Sequence, residues 1–227
     1  MRLALFDLDH TLLAGDSDVE WAEMLEDLGL IERGKIRGFL ADYQAGTLDI
    51  EAFYAYQVGS LAHLEPARLF ELRRQCFQTR WQPLLDPSAK DLIASHRARG
   101  HECVLITATN RFLVEPIAQA LGLEHLVATE LQALGGRFTG QILPPPCLGP
   151  GKILHLERWL GARGQDWSQV QESWFYSDSH NDLPLLSRVT HALAVGPDAR
   201  LLEVARQRGW QILPAPQPTR ARARQMD

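Results

Sequence analysis

The chain has 227 residues, 45% of them hydrophobic, which suffices for one α/β domain with a sizeable insertion or for two small domains. A formal net charge of −5 argues against nucleic acid as a partner, and no apolar run approaches the roughly 20 residues that a membrane helix requires. Cys76, Cys103 and Cys147 lack CxxC spacing and the opening residues lack a basic export segment, so a reduced, cytoplasmic setting without disulfides is expected.

The first element is a buried strand, residues 3–8, with sequence LALFDL. It ends in Asp7 and, two residues on, Asp9, and burying a carboxylate is costly unless something pairs with it. Residues 16–82 show no strand pattern. Apolar stripes at Val19, Ala22, Leu25 and Leu28, at Ile50, Phe53, Tyr54 and Val58, and at Leu69, Leu72 and Cys76 predict about four helices. Pro83 and Pro87 bracket the exit of this insert.

From there strands and helices alternate. A helix over 88–99 stops at Gly100, CVLIT (103–107) is a short buried strand, and a helix over 111–121 is closed by Gly122. Residues 126–134 and 137–142 read as two strands joined at Gly135-Gly136. A helix over 152–160, the strand SWFYS (173–177), a strand over 190–195, a helix over 198–208 and a last strand over 210–213 follow. The tail PAPQPTRARARQMD (214–227) is expected to be disordered. This alternation predicts a doubly wound parallel sheet, a Rossmann-like α/β core, with an all-helical cap inserted after the first strand. The expected division is a core of 1–15 and 83–213 and a cap of 16–82.

In an open parallel sheet, ligands bind beyond the carboxyl ends of the strands. The first strand delivers Asp7 and Asp9. CVLIT delivers Thr107, followed by Ala108, Thr109 and Asn110. SWFYS delivers Asp178, then Ser179, His180, Asn181 and Asp182, and Lys152 opens a helix after PPPCLGPG. Clustered carboxylates repel unless a cation joins them, and hard oxygen ligands suit Mg²⁺. The GPGK stretch at 149–152 is not a Walker loop, because Pro146 stands at the first glycine position and Ile153 at the Ser/Thr position.

These residues carry a resemblance. FDLDHT resembles the DxDxT motif of the haloacid dehalogenase superfamily, Thr107 and Lys152 match its second and third motifs, and SDSHNDLPLL resembles its GDxxxDxxLL stretch. The helical insert is similar to the cap of the phosphoserine-phosphatase-like branch. The resemblance implies a Mg²⁺-dependent phosphomonoesterase acting on a small phosphorylated metabolite, as a monomer or homodimer. It implies Asp7 as the nucleophile that forms an aspartyl-phosphate and Asp9 as the general acid–base. It implies Mg²⁺ on Asp7, the Asp9 carbonyl and Asp178, phosphoryl oxygens on Thr107, Ala108 and Lys152, and supporting roles for Asn181 and Asp182.

For the substrate, the resemblance places Asp16 where an acid faces the substrate ammonium. An ungapped alignment of LDIEAFYAYQV puts Gln57 where an arginine binds the substrate carboxylate. A glutamine there lacks the bidentate, charge-assisted bond. An amino-alcohol phosphate without a carboxylate, such as histidinol phosphate, is therefore expected in preference to phosphoserine. A phosphoserine phosphatase or a phosphotransferase on the same fold, and a non-catalytic phosphometabolite-binding protein, are the alternatives.

Overall fold

The computed structural model describes residues 1–45 and 47–219. The sheet is built on β1 (Arg2–Phe6), with β2 (Glu102–Asn110), β3 (His125–Thr129), β6 (Glu172–Ser177), β7 (His191–Val195) and β8 (Gln211–Leu213). Its order is β3-β2-β1-β6-β7-β8, and every pairing is parallel. β1 lies in the interior, with Leu5 opposite Val104 on one side and Phe175 on the other. A strand buried on both faces must be apolar on both, which is why LALF shows no alternation in polarity. Its side chains still alternate in direction. Ala4 and Phe6 enter one core and Leu3 and Leu5 the other.

Between β1 and β2 the chain forms α1 (Ser17–Asp27), α2 (Lys35–Ala45), α3 (Ile50–Ala62) and α4 (Pro66–Cys76). α4 runs on through a π-helical turn, Phe77–Trp81, into the short α5 (Gln82–Leu84), where Pro83 sits in a first turn that needs no N–H from it. Trp81 is fully buried, stacks on Trp21 and donates its indole N–H to the Ser17 carbonyl at 3.0 Å, so the last turn of the insert is tied to its first. Asp16 and Asp49 cap α1 and α3 through their carboxylates.

The remaining helices are α6 (Ala89–Ala98), α7 (Arg111–Ala120), α8 (Pro150–Gly161), α9 (Leu183–Leu186) and α10 (Ala199–Arg208). One stretch differs from the sequence reading. Residues 126–134 are not one strand of a hairpin: β3 ends at Thr129 and belongs to the main sheet, and only β4 (Leu131–Leu134) pairs antiparallel with β5 (Arg137–Ile142). The break at Glu130 carries no glycine or proline. Thr129 holds it by donating its hydroxyl to the Ala108 carbonyl at 2.6 Å and accepting Cys147 N–H at 3.0 Å. The hairpin rests on α3, where Gly140 approaches Gly59 and Ala62 closely.

Residues 214–219 lie along the α5 exit, with Thr219 N–H on the Pro83 carbonyl and Gln217 N–H on Asp86. Residues 220–227, the larger part of the expected disordered tail, lie outside the described residues. Among the described residues no helix is long and apolar enough to cross a membrane.

Candidate active site

The carboxyl ends of β1, β2 and β6 open into a cavity of about 270 Å³. Asp7, Asp9, Asp16, Thr107, Ala108, Lys152, Asp178, Asn181 and Asp182 all line it. These are nine of the ten residues singled out from the sequence. Gln57 is the tenth; it is buried on α3 and is not among the lining residues. It sits beside Asp18, near enough to favour that acid's charged form, yet neither Gln57 Nε2 nor Asp18 Oδ1 reaches hydrogen-bond geometry with a partner.

The turn after β1 aims its two acids. Asp7 N–H still bonds the Tyr176 carbonyl at 2.9 Å, so Asp7 continues the strand. The chain then folds back: the amides of Thr11, Leu12 and Leu13 converge on the Leu8 carbonyl, and His10 takes a left-handed conformation at φ 54°. The turn places Thr11 with its hydroxyl 3.4 Å from Asp178 Oδ1, across from the end of β6.

Lys152 comes from the first turn of α8, and that turn admits no side chain at Gly151, because a Cβ there would collide with the Pro146 carbonyl oxygen. Its side chain is 2% exposed, and its ammonium donates to Asp7 Oδ1 at 2.9 Å and Asp182 Oδ2 at 2.7 Å. Burial pulls the lysine pKa down, but Asp182 and Asp7 outweigh it and leave it raised, so the amine is held as a cation. Asp182 opens α9 without capping it, since its Oδ2 also accepts the Ser177 hydroxyl at 2.7 Å. Ser177, which the family pattern has as glycine, thus anchors the acid behind Lys152.

The acids are short of positive charge. Burial is the largest cause raising Asp7 to about 7, with Asp182 and Asp9 adding to it against Lys152. Burial, then Asp7 and Asp182, push Asp178 up to about 8. Asp9 is raised to about 6 by burial and by Asp16, against hydrogen bonds from Ser17 and Thr109. Such a donor set fits a hard divalent cation. Among the described residues no three His, Cys, Asp or Glu side chains form a metal cage. Mg²⁺ suits the reduced set, because it is ordinarily held by one or two carboxylates, a carbonyl, water and a substrate phosphate.

Three groups at the site were missed from sequence. Ser17 N–H bonds Asp9 Oδ1 at 2.6 Å, the Thr109 hydroxyl bonds Asp9 Oδ2 at 2.9 Å, and Tyr54 reaches over the β2 loop with its hydroxyl 3.4 Å from the Ala108 carbonyl. Thr109 stood beside the matched Thr107, and alternation along β2 was the available signal that the two point the same way. The apolar and aromatic part of the lining is Phe39, Leu40, Leu48, Phe53, Tyr54 and Leu148.

The family model for haloacid dehalogenase-like hydrolases matches residues 4–187. The chain is 38% identical over 217 residues to a histidinol-phosphatase of Neisseria meningitidis, covering 93% of this chain and 98% of that protein. It is 33% identical over 216 residues to a phosphoserine phosphatase of Mycobacterium tuberculosis, covering 92% of this chain and 69% of that protein. A crystal structure of a Bordetella pertussis protein of unknown function superimposes with a TM-score of 0.88 at 39% identity, covering 93% and 97% of the two chains. A Rossmann-like sheet bearing acids at the ends of β1 and β6 is thus accompanied by full-length relatives, and the chain belongs to the haloacid dehalogenase-like hydrolase family. Within that family it is a phosphatase.

Proposed function

We propose that this phosphatase hydrolyses the phosphomonoester of a small cationic amino alcohol, histidinol phosphate above all. The observation that carries the proposal is the composition of the cavity wall. Lys152 is the only Lys or Arg among the described residues that line it, and its ammonium is already bound to Asp7 and Asp182. A phosphoserine carboxylate therefore meets no cation of its own, whereas an ammonium meets Asp16. Phe39, Phe53 and Tyr54 offer an aromatic wall for a planar ring such as imidazole. The N. meningitidis relative, matched over almost its full length, is named a histidinol-phosphatase and supports the same substrate.

In this reading the Asp7 carboxylate attacks phosphorus and becomes an aspartyl-phosphate. Asp9 gives its proton to the departing alkoxide and later takes one from the water that hydrolyses the acyl phosphate. Phosphoryl oxygens rest on Lys152, on the Thr107 hydroxyl and on the backbone at Ala108. Thr107 Oγ1 accepts Thr109 N–H at 3.2 Å, which leaves its own proton for the substrate. Asp7, the Asp9 carbonyl and Asp178 would hold Mg²⁺, which when bound offsets the repulsion between the nucleophile and an anionic phosphoryl group. The insert of α1 to α4 acts as the lid that excludes water and reads the alcohol.

Steady-state kinetics on histidinol phosphate and L-phosphoserine test the assignment. The expected kcat/KM ratio favours histidinol phosphate by at least about tenfold, equivalent to one missing ion pair of about 1.4 kcal/mol. Equal or better turnover of phosphoserine would contradict it.

A further inference from the structure

Asp9 has both carboxylate oxygens engaged. Oδ1 accepts Ser17 N–H at 2.6 Å and Oδ2 accepts the Thr109 hydroxyl at 2.9 Å. Thr109 is 2% exposed, and its Oγ1 has two further neighbours, Asp18 Oδ2 at 3.1 Å and Ser17 Oγ at 3.2 Å. A hydroxyl carries one proton and two lone pairs. It can donate to Asp9 or to Asp18, but not to both. With Asp9 ionised, the three contacts are satisfied together in one way: Thr109 donates to Asp9, and Asp18 and Ser17 donate to Thr109.

We propose that Thr109 is a positioning residue for the general acid–base, directing its single proton to Asp9 while Asp18 and Ser17, from the first turn of α1, hold Thr109 in place. The chain of protons runs from Asp18 Oδ2–H to Thr109 Oγ1 and from Thr109 Oγ1–H to Asp9 Oδ2. For this Asp18 must be the neutral acid, and its surroundings favour that form: burial, then Asp16 and Asp9, push it well above the usual carboxylate range. Asp18 is nine-tenths buried, and the nearby Gln57 side chain, which favours the charged form, is outweighed. Asp18 is accordingly assigned to the catalytic acid and not to the substrate cation. The same contacts link the helical insert to the chemistry, because Ser17 and Asp18 belong to α1 while Asp9 and Thr109 follow β1 and end β2. The proposal rests on Asp9 serving as acid–base in the phosphatase reaction above.

The test exploits the leaving group. An alkoxide needs a proton from Asp9 as it departs, and p-nitrophenolate does not. Removing the hydroxyl with Thr109→Val is expected to lower kcat/KM on histidinol phosphate about 30-fold or more and on p-nitrophenyl phosphate about threefold or less, as a fraction of general-acid assistance is lost. Thr109→Ser is expected to recover most of the difference. Equal losses on the two esters would assign Thr109 to phosphate binding or to folding and overturn the proposal. If Thr109→Val does not fold, as judged by its melting curve, Thr109→Ala makes the same comparison. Asp18→Asn keeps a donor and is expected to lose less kcat than Asp18→Leu; a raised KM with kcat intact in Asp18→Asn would make Asp18 a substrate contact and overturn its role here. If the wild type turns over β-glycerophosphate but not histidinol phosphate, the substrate assignment fails alone, and the Thr109 comparison is made on β-glycerophosphate instead.

Discussion

Lys152 is a lysine almost wholly removed from water, and its two carboxylate partners are what keep it there. Removing one member of a buried ion pair leaves the other charges uncompensated. Lys152→Met keeps the bulk of the side chain and deletes the cation. Asp7 and Asp182 then face each other without it. The expected outcome is a loss of about 3–5 kcal/mol in denaturant unfolding. Turnover is expected to fall by about 10²–10³, as when a preorganised donor is removed from an anionic transition state. Near-normal turnover in Lys152→Met would show that the lysine only props the loop. Residue-level reading located this lysine because the chain supplied a spacing and a charge. It did not locate Thr109 or Ser17, whose roles depend on which of several hydroxyls and amides the fold brings to Asp9.

At the scale of elements, the strands with their acids were legible because a buried strand is a run of apolar residues that a carboxylate interrupts visibly. β1 and β6 are such runs, and so is the front of β2. The split between β3 and β4 was not legible. Nothing in the apolar periodicity of residues 126–134 records that the chain leaves one sheet for another, and Thr129 makes the break with a hydroxyl where a turn residue would have signalled it. The placement of Gln57 depended on an alignment within helices whose register one sequence does not fix. α6 and β6 also share a feature invisible to pattern. His96 is fully buried, with Nδ1 2.8 Å from His101 Nδ1 and Nε2 2.8 Å from the Tyr176 hydroxyl. Burial, with Arg99 and His101 adding, lowers His96 to about 4. A depressed histidine contributes stability that is present above its unfolded pKa, about 6.5, and is lost as pH falls through the folded value. The contribution of His96 to the melting temperature is therefore expected to fall between pH 6.5 and 4, against the rise that the raised carboxyls of Asp7, Asp9 and Asp178 contribute as pH falls. His96→Phe is expected to start lower, having broken two hydrogen bonds, and its gap to the wild type is expected to narrow as pH falls over that window. A gap that stays constant would contradict this role for His96.

The whole molecule brings acids from distant points of the chain to one place. β1 and β6 are adjacent in the sheet and start the two acidic loops, β2 on the other flank of β1 presents Thr107 and Thr109, and α8 sends in Lys152. One lysine does not balance Asp7, Asp178 and Asp182, which is why burial and mutual repulsion leave Asp7 and Asp178 with raised pKa values. The parallel topology explains how so much of the site could be read in advance: once strand ends are known, they define one edge. It leaves open which alcohol the insert admits, because that is written in the packing of α2 and α3. The central claim is that Asp7 receives the phosphoryl group. Mixing the enzyme with histidinol phosphate and Mg²⁺, quenching in acid within the first turnover and mapping the peptides by mass spectrometry tests it directly. The account predicts a phosphoryl group on Asp7, lost when Mg²⁺ is chelated beforehand and absent in Asp7→Asn. Undiminished turnover in Asp7→Asn, or a phosphoryl group on another residue, would contradict it.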